Sequence, residues 1–319
     1  MTSDPRISVA LCTYNGTRFL REQLDSIAAQ TLVPCEIVAC DDASTDGTIA
    51  VINAFAADSS IPVRLHQNEQ TLGVTKNFDQ AIGFCTGEFI ALADQDDIWQ
   101  PHKLARLYDA LQSTPDASYA FSDARLIDET GRDSGGKSLL SRRFDLASIE
   151  SAFRTGRELD LMLKRDFIYG TTLVFRADAR TVFQPIPPTW SHDTWVVNTL
   201  ALRKRRGVPV LEPFVKYRQH AIQASGGTAS PRGVRYADRV RAYDDLREAM
   251  ALATDARPDA LSRIDDKLRY LHAMVTMEDA SLARRVTVAL GEVTSGRWTR
   301  YSPRTFVVDK RLGLSRFRR

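Results

Sequence analysis

Short apolar runs alternate with segments of helical spacing through the first half of this 319-residue chain, and that alternation limits the possible folds more than any other feature. Residues 7–12 read as a short buried strand, and residues 18–30 carry Phe19, Leu20, Leu24, Ile27 and Ala28 at helical intervals. Residues 36–40 and 63–66 read as two more strands, with Asp46 capping a helix that runs to Phe55 between them. A helix over 75–84 and a strand over 89–93 follow. Pro101 then opens a helix over 103–112, and a strand over 117–121 is closed by Ser122 and Asp123. Strand and helix in strict alternation call for an α/β fold with a mixed, mostly parallel sheet flanked by helices.

The pattern loosens after that. Residues 130–160, with Gly131, Gly135 and Gly136 among many charges, predict a long mobile segment with one helical patch. Residues 167–175 return to strand. Pro185, Pro187 and Pro188 form a rigid connector into a helix over 191–204, and 208–211 is the last strand. Two amphipathic helices, 234–252 and 260–277, and an arginine-rich end over 284–319 predict a C-terminal helical, basic extension over 229–319. Trp298, Tyr301, Phe306 and Phe317 interleave with those arginines.

Composition excludes some partners. With 43% hydrophobic and 26% charged residues and a net charge of +3, the chain reads as a globular protein with no call for nucleic acid as its main ligand. No apolar run approaches the ~20 residues of a membrane helix, and the first residues lack the features of a secretory signal, so a cytoplasmic protein is expected. Cys35 and Cys40 would lie about 16 Å apart in one strand at ~3.3 Å per residue, too far for a disulfide. With Cys12 and Cys85 they are expected to be buried free thiols.

The chemistry concentrates where strands end. Asp94, Asp96 and Asp97 put three carboxylates within four residues, directly past the strand over 89–93. Like charges this close repel, and a divalent cation makes such a cluster favourable; a solvated acidic turn is the alternative. Thr13, Tyr14 and Asn15 follow the first strand, Asp41 and Asp42 the second, and Lys76 and Asn77 open the third helix. A parallel sheet gathers all of these at one edge, where open α/β sheets bind ligands. There a Tyr ring can stack on a base, an Asp can accept a ribose or base hydrogen bond, and Lys76 can face a phosphate. Asp46 and Gly47 read instead as cap and turn.

Four segments, at 9–15, 38–48, 68–77 and 93–101, resemble in order and spacing the family 2 glycosyltransferases of GT-A fold, a Rossmann-like nucleotide-diphospho-sugar transferase fold. The likeness covers roughly residues 5–225. The segment Asp94-Gln95-Asp96-Asp97-Ile98-Trp99 is similar to bacterial members described as rhamnosyltransferases. The resemblance implies a catalytic domain over 1–228, with a nucleotide-sugar half over about 1–125 and an acceptor half over about 126–228. It implies a nucleotide-sugar site built from Thr13, Tyr14, Asn15, Asp41, Asp42, Lys76, Asn77, Asp94 and Gln95. Asp94 and Asp96 match the family's Asp-x-Asp motif and would hold Mn2+ or Mg2+ on the diphosphate, with His220 as a further ligand or diphosphate contact.

Asp193 matches the general base that deprotonates the acceptor hydroxyl. Its neighbour His192 departs from the family's usual acidic residue. The segment from Lys216 to Gly226 resembles a loop that closes over the donor, with Gly226 and Gly227 as a hinge. The implied activity is metal-dependent, inverting transfer from a nucleoside diphosphate sugar, dTDP-rhamnose or a UDP-sugar, to a saccharide or lipid-linked saccharide acceptor in polysaccharide or glycolipid assembly. The basic C-terminal segment would give peripheral contact with the inner face of the plasma membrane. A sugar-phosphate nucleotidyltransferase and a non-catalytic carbohydrate-binding scaffold are the competing readings. The first lacks a Gly-rich pyrophosphate loop near the N-terminus; joint retention of Asp94, Asp96 and Asp193 opposes the second.

Overall fold

The structure is a computed structural model that describes residues 6–221, 236–278 and 280–302. In chain order the elements of the first part are β1 (Ile7–Thr13), α1 (Leu20–Ala28), β2 (Glu36–Asp41), α2 (Thr48–Asp58), β3 (Val63–Gln67), α3 (Val74–Phe84), β4 (Phe89–Asp94), β5 (Ile98–Trp99), α4 (Lys103–Ser113) and β6 (Ala117–Ile127). They are followed by α5 (Leu146–Arg154), α6 (Glu158–Lys164), β7 (Leu173–Arg176), α7 (Arg180–Phe183), α8 (His192–Leu202) and β8 (Arg206–Arg218). The C-terminal helices are α9 (Tyr236–Leu252), α10 (Ala260–Glu278), α11 (Leu282–Thr294) and α12 (Arg297–Tyr301).

Eight strands make one sheet in the order β3-β2-β1-β4-β7-β6-β8-β5. The β3-β2-β1-β4 half is parallel, β7 runs antiparallel to both β4 and β6, and β8 returns parallel to β6. The chain moves from β1 outward to β2 and β3 and then crosses to β4, so the strand order reverses between β1 and β4. That reversal leaves a crevice at the carboxyl ends of these strands, the usual place for a ligand. Both sheet faces are buried, which is why these strands read as nearly continuous apolar runs. Val9, Leu11, Ile37, Ala39, Ala91 and Ala93 pack against α1, α2 and α4 on one face. Ala10, Cys12, Val38, Cys40, Ile90 and Leu92 face α3, α8 and the C-terminal helices on the other.

Four expectations need correction. First, β6 continues six residues past Phe121, to Ile127. The Ser122-Asp123 stop signal is absorbed by a bulge against β8, where the Asp123 carboxylate accepts from the N–H groups of Ala124 and Leu140 at 2.7 and 2.9 Å. Second, β8 spans Arg206–Arg218 rather than 208–211. Pro213 meets Asp123 at that bulge, where a missing donor costs nothing. Third, residues 130–160 hold α5, capped by Asp145 accepting from Ser148 N at 3.1 Å, and the start of α6. Fourth, the 167–175 strand shrinks to β7, because a 3-10 turn at Gly170–Thr172 precedes it.

The C-terminal helices share one apolar core with α8. Trp190 Nε1 donates to Ala242 O at 2.6 Å, Arg257 N donates to Leu202 O at 2.8 Å, and Arg263 pairs with Asp160. The described end of the expected helical, basic extension is α11 and α12, with Trp298 and Tyr301 buried and Arg297 paired to Glu292 at 2.8 Å. The Gly226-Gly227 hinge and the arginines and aromatics beyond Ser302 lie outside the described residues. No helix among the described residues is long and apolar enough to cross a membrane.

Candidate active site

Parallel register assembles the site. β1 pairs with β2 so that Thr13 faces Asp41, and with β4 so that Cys12 faces Asp94. The residues just beyond these strand ends therefore share one edge. They enclose a cleft of about 340 Å³ lined by Thr13, Tyr14, Asp42, Asn77, Asp94, Gln95, Asp96 and His220, with Phe78 and Tyr217 supplying apolar walls. Such a volume suits a nucleotide-sized ligand.

Tyr14 stands half exposed at the cleft. Its backbone is clamped by Gln95: Tyr14 N donates to Gln95 Oε1 at 2.8 Å, and Gln95 Nε2 donates to Tyr14 O at 3.0 Å. Asp42 fixes the loop opposite, accepting from Leu72 N at 2.7 Å, Gly73 N at 2.9 Å and Asn68 Nδ2 at 2.9 Å. Asn77 bonds Cys40 O and Asn68 and closes the floor. Three residues of the expected nucleotide site stand apart from the lining. Asp41 is fully buried and takes hydrogen bonds from Thr13 Oγ1 and from Ser44, so it braces the turn after β2. Asn15, at φ 47°, accepts from Thr45 N at 2.9 Å and braces the same turn. Lys76 is exposed on the first turn of α3.

The acidic cluster is strongly buried. Burial first, then the charges of Asp96 and Asp193, push Asp94 up to about 8. Burial and the charges of Asp96 and Asp94 also drive Asp97 well above the carboxylate range. Two groups that sequence reading did not single out hold this crowd together. Lys103, fully buried, donates to Thr171 O at 2.6 Å and lies 3.1 Å from the centroid of the Trp99 ring. Burial pulls its ammonium well down, against the attraction of Asp97 and Asp94. Arg218, 1% exposed, donates Nε to Asp96 O and its backbone N to Asp97 Oδ1, and reaches Glu22 at 2.7 Å. Nothing in a lone Lys103 at a helix start signals this role. Arg218 was visible only as a member of the segment that carries His220.

His220 Nε2 lies 2.7 Å from Asp96 Oδ2, so the imidazole orients that carboxylate, and its buried Nδ1 has no hydrogen-bond partner among the described residues. Among the described residues no three His, Cys, Asp or Glu side chains converge as a preformed metal site. The donor set still fits a hard cation: two mutually repelling carboxylates, Asp94 and Asp96, open into a cleft large enough for a diphosphate. Mg2+ and Mn2+ are commonly held by one or two carboxylates plus substrate phosphates.

Asp193 sits on the first turn of α8, where Oδ1 accepts from Thr194 N at 2.7 Å and Oδ2 from Gly170 N at 3.1 Å. It lines an adjoining cleft rather than the nucleotide cleft, yet its charge is felt at Asp94. Its chain neighbour His192 stacks on Phe78, which lines the nucleotide cleft, so Asp193 lies near that cleft without lining it. His192 is buried and stacks on Phe78 at 3.8 Å, and burial lowers its pKa, so it is a neutral packing group. Gly170 was also missed: a Cβ there would lie 2.5 Å from His192 Nε2.

Comparison with known proteins agrees with this geometry. A family model described as glycosyl transferase family 2 matches residues 8–181. An uncharacterized protein of Mycobacterium bovis is 30% identical over 217 residues, 67% of this chain and 59% of that protein, so the chain spans under two thirds of such a relative's length. The crystal structure of a fragment of S. aureus TarS in complex with UDP-GlcNAc has a TM-score of 0.59 at 16% identity, covering 89% of this chain and 79% of that one. The mannosyltransferase PcManGT from Pyrobaculum calidifontis, in complex with GDP-Man and Mn2+, has a TM-score of 0.56 at 19% identity, covering 92% and 81%. At these identities the structural likeness speaks for the fold.

Proposed function

The chain belongs to glycosyl transferase family 2, and from that premise we propose that it is a metal-dependent, inverting glycosyltransferase using a nucleoside diphosphate sugar. The single observation that carries this reading is a nucleotide-sized cleft lined by Asp94 and Asp96, with Asp193 near enough for its charge to act on Asp94. A donor carbon and an acceptor hydroxyl must come together between such groups.

The nucleoside would lie over Thr13 and Asp42, with its base against the exposed Tyr14 ring. The diphosphate would then reach Asp94 and Asp96. Mn2+ or Mg2+ held by these two carboxylates would supply charge compensation for the departing diphosphate. His220 keeps Asp96 aimed at that point, and Arg218 braces the buried Asp97 behind it. Asp193, steadied by two backbone N–H groups, accepts the proton of the acceptor hydroxyl. The freed oxygen attacks the anomeric carbon as the bond from that carbon to the diphosphate breaks. One displacement inverts the anomeric configuration. His192, buried and stacked on Phe78, lines neither cleft and takes no part in the proton transfer.

The sugar is a hexose, with dTDP-rhamnose and UDP-sugars as the first donors to try. The acceptor is a saccharide or lipid-linked saccharide of cell-envelope polysaccharide assembly, met at the inner face of the plasma membrane. The test is release of nucleoside diphosphate from a panel of nucleotide sugars, with and without Mn2+. Metal-dependent release that falls sharply in Asp193→Asn is expected, with an inverted product by proton NMR. Turnover of a nucleoside triphosphate with a sugar phosphate would instead make the protein a nucleotidyltransferase, and no turnover of any donor a binding scaffold.

A further inference from the structure

The cleft beside the nucleotide site has its own chemistry. It encloses about 440 Å³ between the 164–169 segment, the start of α8 and the C-terminal helices. Five cationic side chains line it (Arg143, Lys164, Arg165, Arg239 and Lys267) against two carboxylates, Asp166 and Asp193. Asp166 is already paired with Arg239 at 3.1 Å. Among the described residues no Asn, Gln or Glu lines the cleft, although these are side chains that commonly grip a neutral sugar.

Lys267 is the decisive group. It is 1% exposed on α10, and its Nζ stands 5.7, 5.3 and 4.9 Å from the ring centroids of Tyr243, Tyr270 and Tyr301. Burial, and then the repulsion of Arg239, pull its ammonium down to about 7, and the one carboxylate that attracts it, Asp166, is already paired with Arg239. Arg143 likewise spends its guanidinium on a neutral phenol, donating to Tyr169 Oη at 3.1 and 2.6 Å. A buried ammonium that must share its one opposing charge with an arginine is destabilising, and such a group is kept when a ligand provides the missing charge. Both cations line the cleft that Asp193 also lines.

We propose that this cleft binds the acceptor and that the acceptor is anionic, a glycoside bearing a phosphate or diphosphate that docks on Lys267 and the neighbouring arginines while its hydroxyl meets Asp193. The assignment of the cleft to an acceptor rests on the glycosyltransferase reading; the affinity for a sugar phosphate does not. Phosphate suits a point charge such as Lys beside forked Arg donors. The tyrosine walls suit a sugar ring.

The test is calorimetric titration of the full chain with three probes: glucose 1-phosphate, methyl α-glucoside and inorganic phosphate. Glucose 1-phosphate is expected to bind at least tenfold tighter than either of the others. Lys267→Met, which keeps the volume and removes the charge, should weaken it about tenfold with no loss of melting temperature. Asp193→Asn should bind it at least as well as the wild type. Lys164→Met, on the open side, should weaken it about threefold and gives the same reading should Lys267→Met not fold. Affinity unchanged in both lysine variants, or equal affinity for methyl α-glucoside, overturns the anionic acceptor. Inorganic phosphate binding as tightly as glucose 1-phosphate makes the cleft a bare anion site and overturns it too. Lys267-dependent binding of glucose 1-phosphate in a protein that turns over no nucleotide sugar would sink the transferase reading and leave the phosphate site standing.

Discussion

Adding one methyl group at Gly170 should cripple the reaction without unfolding the protein. A Cβ at this position would fall 2.5 Å from His192 Nε2, whereas ordinary contact begins at 3.4 Å, so a gap of about 0.9 Å must open. The imidazole cannot retreat, because it is buried and stacked on Phe78 at 3.8 Å with 16° between the planes. The backbone at residue 170 moves instead, and with it the N–H that holds Asp193 Oδ2 at 3.1 Å. Misplacing a reacting group by about 1 Å costs on the order of 10²-fold in rate. Overpacking costs roughly 1–3 kcal/mol, which a domain of this size survives. Gly170→Ala should therefore melt cooperatively and keep its donor KM within about twofold, since Tyr14 and Asp42 lie across the site, while kcat for nucleoside diphosphate release falls about 10²-fold. His192→Ala removes the obstructing ring, and the double variant should regain at least about tenfold. A fully active Gly170→Ala would refute the placement of Asp193 as base. So would a double variant no better than Gly170→Ala when His192→Ala alone is active.

Three further outcomes follow from the acidic cluster. Asp94→Asn and Asp96→Asn should each lower donor turnover by at least about 10²-fold and abolish its response to Mn2+; a steady-state assay with the metal varied checks this. With Asp94 pushed up to about 8, the folded chain binds its proton more tightly than the unfolded chain does between about pH 4 and 8. Wild-type stability without metal should thus fall relative to Asp94→Asn as pH rises through that window, and Mn2+ should restore it, as read from melts at pH 5, 6.5 and 8. Arg218→Met should destabilise the protein by about 1–3 kcal/mol in denaturant melts, because it strands the buried carbonyl of Asp96. Arg218→Lys should not rescue it, since one ammonium cannot reach Asp96 O and Glu22 together.

The donor side of the site was legible because its information is local. Each of Thr13, Asp42 and Asp94 follows an apolar run in sequence, and parallel register does the rest. Asp41 misled for the same reason: sequence proximity to a strand end does not say which of two adjacent carboxylates faces the cleft and which is consumed by Thr13 and Ser44. The acceptor side was hidden because its contacts are distant in sequence. Lys103 meets Thr171 across 68 positions, and Lys267 enters the cleft from a helix that sequence reading set apart as an extension. Near the C-terminus the helical character was legible, but the partners of the arginines were not. Ion pairs to Glu292 and Asp266, with buried Trp298 and Tyr301, turn part of that segment into packed helix.

The metal-bound donor is the centre of the functional assignment, and anomalous diffraction from crystals soaked with Mn2+ and UDP, GDP or dTDP tests it most directly. The expected result is one manganese peak contacting the carboxylates of Asp94 or Asp96, with the diphosphate on it and the base against Tyr14. A nucleotide bound with no manganese near Asp94 and Asp96, or manganese there with every nucleotide absent, would contradict it.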